Sequence, residues 1–144
     1  MIEKFDDYEG TQFLNEEGIF VFEITAAELK EGKDYPYIEF TCKSDAGTTT
    51  LMKSLSPKAR WSYNRLIKAC KGANRPTELD YETYHTNLIG DKFLGTVEAQ
   101  SYTKIVKQPK DDGTFEESEQ KKISYKIVDE EQLKEDGAPF DIGL

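Results

Sequence analysis

Few side chains in this 144-residue chain have the types and spacing that chemistry needs. There is one histidine, His85, and the two cysteines, Cys42 and Cys70, are far apart, with no CxxC pair and no histidine beside either. Zinc and redox sites need thiolate or imidazole ligands at close spacing, so no metal and no other cofactor is expected, and both cysteines read as small buried hydrophobes. A lone histidine in a polar stretch reads as an ordinary surface residue. No GxxxxGK phosphate loop and no GxGxxG fingerprint occurs, and the carboxylates fall in surface runs rather than in isolated pairs among apolar residues. The chain is therefore read as a non-enzyme. What remains is recognition: tyrosines and lysines interleave along extended segments, where rings can stack on flat ligands and ammonium groups can meet anions.

The elements that must position those residues follow from hydropathy patterning. GIFVFEITAAELKEG alternates as a strand with Phe20, Phe22 and Ile24 on one face. YPYIEFTCKSD gives a second, with Ile38, Phe40 and Cys42 inward and Tyr37, Glu39, Thr41 and Lys43 outward. A turn at Asp45, Ala46 and Gly47 leads into a third strand over 48–55, rich in β-branched threonine. SPKARWSYNRLIKACKG predicts the one helix, with Ser56 as cap, Pro57 at the first helical position and Gly72 past the end. Ala59, Tyr63, Leu66, Ile67 and Cys70 form its buried stripe, and Lys58, Trp61, Arg65 and Lys68 share a neighbouring face. After a loop over 73–90 with one helical turn around Asp80 to Tyr84, a fourth strand starts at Asp91, with Phe93, Val97 and Ala99 to one side. Gly95 in its middle suggests a bend or bulge. A polar hairpin loop then leads into a fifth strand, KKISYKIVD, with Ile123, Tyr125 and Ile127 inward.

Three strands, one helix and two strands with long hairpin loops predict an all-β domain with a single helix between the third and fourth strands. That is the element count of a five-stranded OB-fold barrel, although another five-stranded barrel or a small α+β sandwich has much the same pattern. The expected organisation is a polar leader over 1–17, the barrel over 18–128 and an acidic tail over 129–144. At this length one domain can bury roughly two-thirds of the surface its unfolded chain exposes. No apolar run approaches a membrane span, and the first residues lack a basic start and apolar core, so a cytoplasmic protein is expected.

The net charge of −9 is unevenly spread. Residues 1–32 carry net −7 and residues 108–144 net −6, but residues 33–107 carry 12 basic against 8 acidic side chains, net +4. A polyanion responds to the local potential over about one Debye length, roughly 8–10 Å, so an acidic whole does not exclude a binding middle. The outward candidates are Tyr37, Lys43, Lys53, Lys92, Tyr102, Lys104, Lys122 and Lys126, with Trp61 on the helix. Such a set could stack bases and neutralise phosphates along a single strand. The same lysines could equally guard strand edges and keep the protein in solution, and Trp61 could cover the rim of the core. Tyr35 and Phe115, in loops, could clamp a strand or cap the barrel ends. The tail, DEEQLKEDGAPFDIGL, is either a solubilising terminus or a docking peptide whose carboxylates meet a basic patch while Phe140, beside Asp141, enters an apolar pocket.

The run SLSPKARWSYNRLIKACKGAN, then LIGDKFLGTVEAQSY and the lysine-rich KKISYKIVD, resembles small bacteriophage single-stranded-DNA-binding proteins. The likeness rests on Leu55, Ser56 and Trp61, on Ile89, Gly90, Lys92 and Phe93, and on Tyr102, and it covers roughly residues 18 to 128. It implies an OB-fold that coats single strands during phage replication or recombination, without catalysis. It also implies an acidic carboxyl tail that recruits replication or recombination proteins. Tails of the bacterial counterparts end on a proline-phenylalanine pair, whereas here Pro139 and Phe140 are followed by DIGL. The rival from charge alone is an acidic protein-interaction module, or a DNA mimic that inhibits a DNA-binding partner. Exposed strand edges leave a homodimer open, with nothing in the sequence to select it.

Overall fold

A computed structural model describes residues 12–133. Five strands form one antiparallel sheet: β1 (Gly18–Lys30), β2 (Tyr37–Ser44), β3 (Gly47–Ser54), β4 (Lys92–Pro109) and β5 (Phe115–Glu131), in the order β3-β2-β1-β4-β5. The one α-helix among the described residues, α1 (Arg60–Lys71), lies between β3 and β4 in the chain and packs on both and on β5. The all-β class with one helix is thus as expected.

Alternation sets the core. Phe22, Ile24, Ile38, Phe40 and Cys42 point to one side of β1 and β2 and are fully buried, joined by Phe93 and Val97 of β4 and by Tyr63, Leu66 and Ile67 of α1. The Phe22 and Phe93 rings stack with centroids 5.7 Å apart, and their neighbour in the sheet is Gly95. A Cβ on Gly95 would lie 2.7 Å from Phe22 Cδ2, so the glycine makes room for a ring. The expected irregularity is adjacent: the register between β4 and β5 shifts between Thr96 and Val97, leaving Val128 as the extra residue on β5.

Two boundaries differ from expectation. Leu14 N donates to the Thr48 carbonyl at 3.0 Å and Thr48 N to the Gln12 carbonyl at 2.7 Å, while the Leu14 side chain is buried, so residues from Gln12 onward belong to the fold rather than to a leader. At the other end β5 runs through Glu131, into the segment expected to be tail. The helix also begins later than its cap signal. Ser56 Oγ accepts from Ala59 N at 3.3 Å, capping a turn that precedes the helix. Ala59 and Cys70 of the expected stripe are only half-buried. Gly72, at φ +56, ends α1 where a side chain would collide with Gln132.

The sheet is not closed into a barrel. Among the described residues no backbone ladder joins the edge strands β3 and β5, because side chains fill the seam between them. Thr49 Oγ1 donates to the Tyr125 carbonyl at 3.4 Å, and further along Lys53 meets Glu130. His85, expected on the surface, is buried in a 3-10 turn (Tyr84–Leu88) whose Leu88 enters the core, and its Nδ1 has no partner there. No helix among the described residues is long and apolar enough to cross a membrane.

Candidate nucleic-acid interface

A groove of about 690 Å³ follows the seam between the two sheet edges. Thr48, Thr49 and Thr50 of β3 form one wall, Ile123, Ser124, Tyr125 and Lys126 of β5 the other, with Tyr102 of β4 beside them. Phe13 and Asn15, from the segment that adds to the end of β3, line its mouth. In a chain with 28 acidic residues this lining holds no carboxylate, and Lys126 is its one charged side chain. Aromatic faces, threonine hydroxyls and an ammonium group can stack bases and contact a phosphate-sugar backbone without selecting a sequence.

The structure divides the expected binding residues among four places. Tyr102 and Lys126 line the groove. Lys122 pairs directly with Tyr102 across β4 and β5, and Lys104, two residues on from Tyr102, shares its face, so these four form one set. Tyr37 and Lys43 lie at opposite ends of β2 on its outer face, and Lys43 and Lys92 flank the same residue of β1, Glu23. That face also carries Glu28 and Glu39, both in ion pairs with Lys30 at 3.8 and 2.9 Å, so it is no cationic furrow. Trp61 stands on α1, 64% exposed, with the Arg65 guanidinium 5.3 Å from its ring centroid. Phe140 and Asp141, expected to serve a partner-binding tail, lie outside the described residues.

Lys53 is corrected outright. It shares alternation with Leu51 and Leu55 and points inward, where its Nζ donates to Glu130 Oε1 at 2.9 Å and to Ser62 Oγ at 2.7 Å. The bulge at Val128 brings Glu130 inward, opposite Gly95, to meet it. Arg65 completes the group, with its NH2 nitrogen donating to Glu130 Oε2 at 3.1 Å and to the Val128 carbonyl at 3.2 Å. Burial pulls the Lys53 ammonium below the ordinary lysine range, against the attraction of Glu130. This lysine closes the seam and is not open to a ligand.

Sequence reasoning missed Phe13 and the place of Tyr125 at the groove. Phe13 fell in the supposed leader, yet it is 74% exposed at the groove mouth. Tyr125 has the inward alternation expected of it and packs against the core, and its half-buried ring also lines the groove. The unbroken run from Ala46 to Thr77 carries seven lysines and arginines and no acidic residue, a local excess that can be counted from the sequence. Among the described residues no three His, Cys, Asp or Glu side chains gather to hold a metal ion. Burial pushes the thiols of Cys42 and Cys70 up to about 12, so neither is a reactive nucleophile. No protein-family model matches this chain, and no curated protein matches it.

Proposed function

We propose that this chain is a sequence-tolerant single-stranded-DNA-binding protein built on an open OB-type sheet, and that it holds the strand along the seam between β3 and β5. One observation carries the reading: the groove is aromatic, hydroxyl-lined and free of carboxylates in a chain of net charge −9. The order β3-β2-β1-β4-β5, with the helix following β3, supports the OB-type assignment. The motif resemblance supplies the setting, replication or recombination of phage DNA, with no catalytic step. A host-cell cytoplasmic location belongs to the same proposal.

Binding combines two terms. Stacking on Tyr102, Tyr125 and Phe13 contributes about 1–3 kcal/mol per base, and Lys104, Lys122 and Lys126 release counterions from about three phosphates. Fluorescence-anisotropy titration of labelled oligo(dT) at several salt concentrations tests both, with an expected slope of log K against log salt of about −2, from roughly −0.7 per phosphate. An affinity indifferent to salt, or equal affinity for duplex and single strand, would defeat the reading.

A second reading, a module that docks acidic protein partners, is favoured by the acid-free run 46–77, which places exposed Trp61 and Lys68 on the solvent face of α1. The two readings separate on one variant, since Trp61 does not line the groove.

A further inference from the structure

We propose that residues 1–11 lie back across Tyr102, Lys104, Lys122 and Lys126 and cover the groove when no nucleic acid is bound, making the chain a regulator of its own site. The inference rests on the reading of that groove as a single-strand site. Residues 12–14 hydrogen-bond to the edge of β3 away from β2, the edge that faces Tyr125 across the seam. Leu14 turns into the core, and Phe13 turns outward at the groove mouth. Phe13 pairs with Thr48 in parallel, so the chain traced backward from Gln12 leaves past Gly47, the first residue of β3. β5 runs in the same direction as β3, with Tyr125 level with Thr49 and Glu130 with Lys53. On that side β4 and β5 continue beyond β3 as a two-stranded ribbon, from Ala99 opposite Tyr125 to Pro109 opposite Phe115. Residues 1–11 therefore join the fold beside this ribbon. The rungs from Lys126 to Gln120, the partner of Lys104, cover six steps or about 20 Å. Eleven residues at about 3.3 Å each can span that distance.

Charge and ring chemistry choose the face. MIEKFDDYEGT carries Glu3, Asp6, Asp7 and Glu9 against Lys4, net −3, with Phe5 and Tyr8 set among the carboxylates. Interleaved rings and anions present what a single strand presents, flat groups to stack and negative charge to pair. The outer face of the ribbon suits both. Tyr102 pairs directly with Lys122, and Lys104 and Lys126 share their side. The carboxylates of this face, Glu98 opposite Lys126 and Glu116 near the tip, stand at its two ends, with none between them. Among the described residues no carboxylate is in an ion pair with Lys104, Lys122 or Lys126. The inner face sets Lys107 and Lys121 against Glu117 and Glu119, with Lys107 and Glu117 paired at 3.8 Å, and so offers an acidic segment no net charge. A segment tethered through a few residues acts at an effective concentration of about millimolar order, so a contact too weak to hold a free peptide still competes with a strand.

Full-length variants test this by oligo(dT) titration at about 50 mM salt, with circular dichroism to verify that each folds. Phe5→Ala with Tyr8→Ala removes the rings and leaves the charge unchanged. Glu3→Gln, Asp6→Asn, Asp7→Asn and Glu9→Gln together remove the charge and leave the rings. Each set is expected to raise the affinity about three- to tenfold over the unaltered chain. With p-benzoylphenylalanine in place of Phe5, irradiation is expected to crosslink the segment to residues 102–104 or 122–126, read by peptide mass, and saturating oligo(dT) to suppress the product. Unchanged affinity in either set overturns the proposal; a gain confined to the charge set is repulsion at a distance. A crosslink that avoids those residues, or that survives oligo(dT), overturns it as well. If no chain, unaltered or variant, binds oligo(dT), the DNA reading is what fails, and the crosslink alone decides whether the segment lies over the groove.

Discussion

Lys53 Nζ and Glu130 Oε1 are 2.9 Å apart, with side chains 2 and 0% exposed, and they join the two edge strands of the sheet across 77 residues of chain. Arg65 of α1 grips the same carboxylate, so one acidic side chain ties β3, β5 and the helix together. This polar clasp stands where a closed barrel would have a ladder, and the seam it leaves open contains the groove.

Removing one member of the clasp strands the others. Glu130→Leu leaves the Lys53 ammonium buried without a carboxylate and is expected to lose about 3–5 kcal/mol in urea unfolding. Adding Lys53→Met to that variant is expected to restore most of the loss, because apolar groups can replace a buried pair at little net cost. A chain ended after Val128 should lose at least as much stability, relative to one ended after Leu133, as Glu130→Leu does.

Gly95→Ala tests the packing of the stacked phenylalanines. The added methyl would lie 2.7 Å from Phe22 Cδ2 and 3.2 Å from Phe93 Cε2. Overpacking of this kind costs about 1–3 kcal/mol. The same substitution is expected to cost less in a Phe22→Leu background, measured as a double-mutant cycle by thermal or urea unfolding.

The thiols should be silent until the protein unfolds. Near pH 8, iodoacetamide is expected to leave both Cys42 and Cys70 unlabelled in the folded chain and to label both in denaturant, read by mass. Burial raises both thiols from 9.0 to about 12, and burial raises the Tyr63 hydroxyl in the same direction. A raised acid makes the folded state hold protons that the unfolded state releases. Stability is therefore undiminished below about pH 9 and falls as pH climbs from there toward 12, by about 1.4 kcal/mol per pH unit for each thiol. Lys53 acts with the opposite sign. Its lowered value means the unfolded state holds the extra proton, so that one contribution to stability rises with pH until the ordinary lysine value is passed. Three raised acids outweigh it, and an unfolding midpoint that stays constant to pH 11 would contradict the burial of these groups.

For the proposed DNA site, Tyr102→Ala and Tyr125→Ala are each expected to weaken oligo(dT) binding by about 1–3 kcal/mol, with little change in the salt slope. Lys126→Ala is expected to weaken binding and to reduce the slope by about 0.7. Trp61→Ala should leave the affinity unchanged, since the indole lies outside the groove. If Trp61→Ala abolishes oligonucleotide binding while the tyrosine variants retain it, the ligand lies on α1.

Local patterning made much of this protein legible before any coordinates. Period-two alternation placed Phe22, Ile24, Ile38, Phe40 and Cys42 in the core, where they are, and the helix was marked by its apolar stripe and by Gly72, although Pro57 lies in the turn before it. Both kinds of signal arise within one element, from side chains that must point away from water. The seam was decided elsewhere. Alternation puts Lys53 inside, but only the distant Glu130 makes that position tolerable, and Glu130 faces inward because a bulge at Val128 reverses the alternation of β5.

The chain by itself therefore determined which segments extend, which one coils and which faces are apolar, because these are properties of neighbouring residues. Tertiary structure alone decided that the edge strands meet through side chains, that the lysines fall into separate groups and that Phe13 and Tyr125 share a groove with Tyr102. Those outcomes depend on contacts between residues remote in sequence, where the cost of burying a charge is met by a partner that no local pattern reveals.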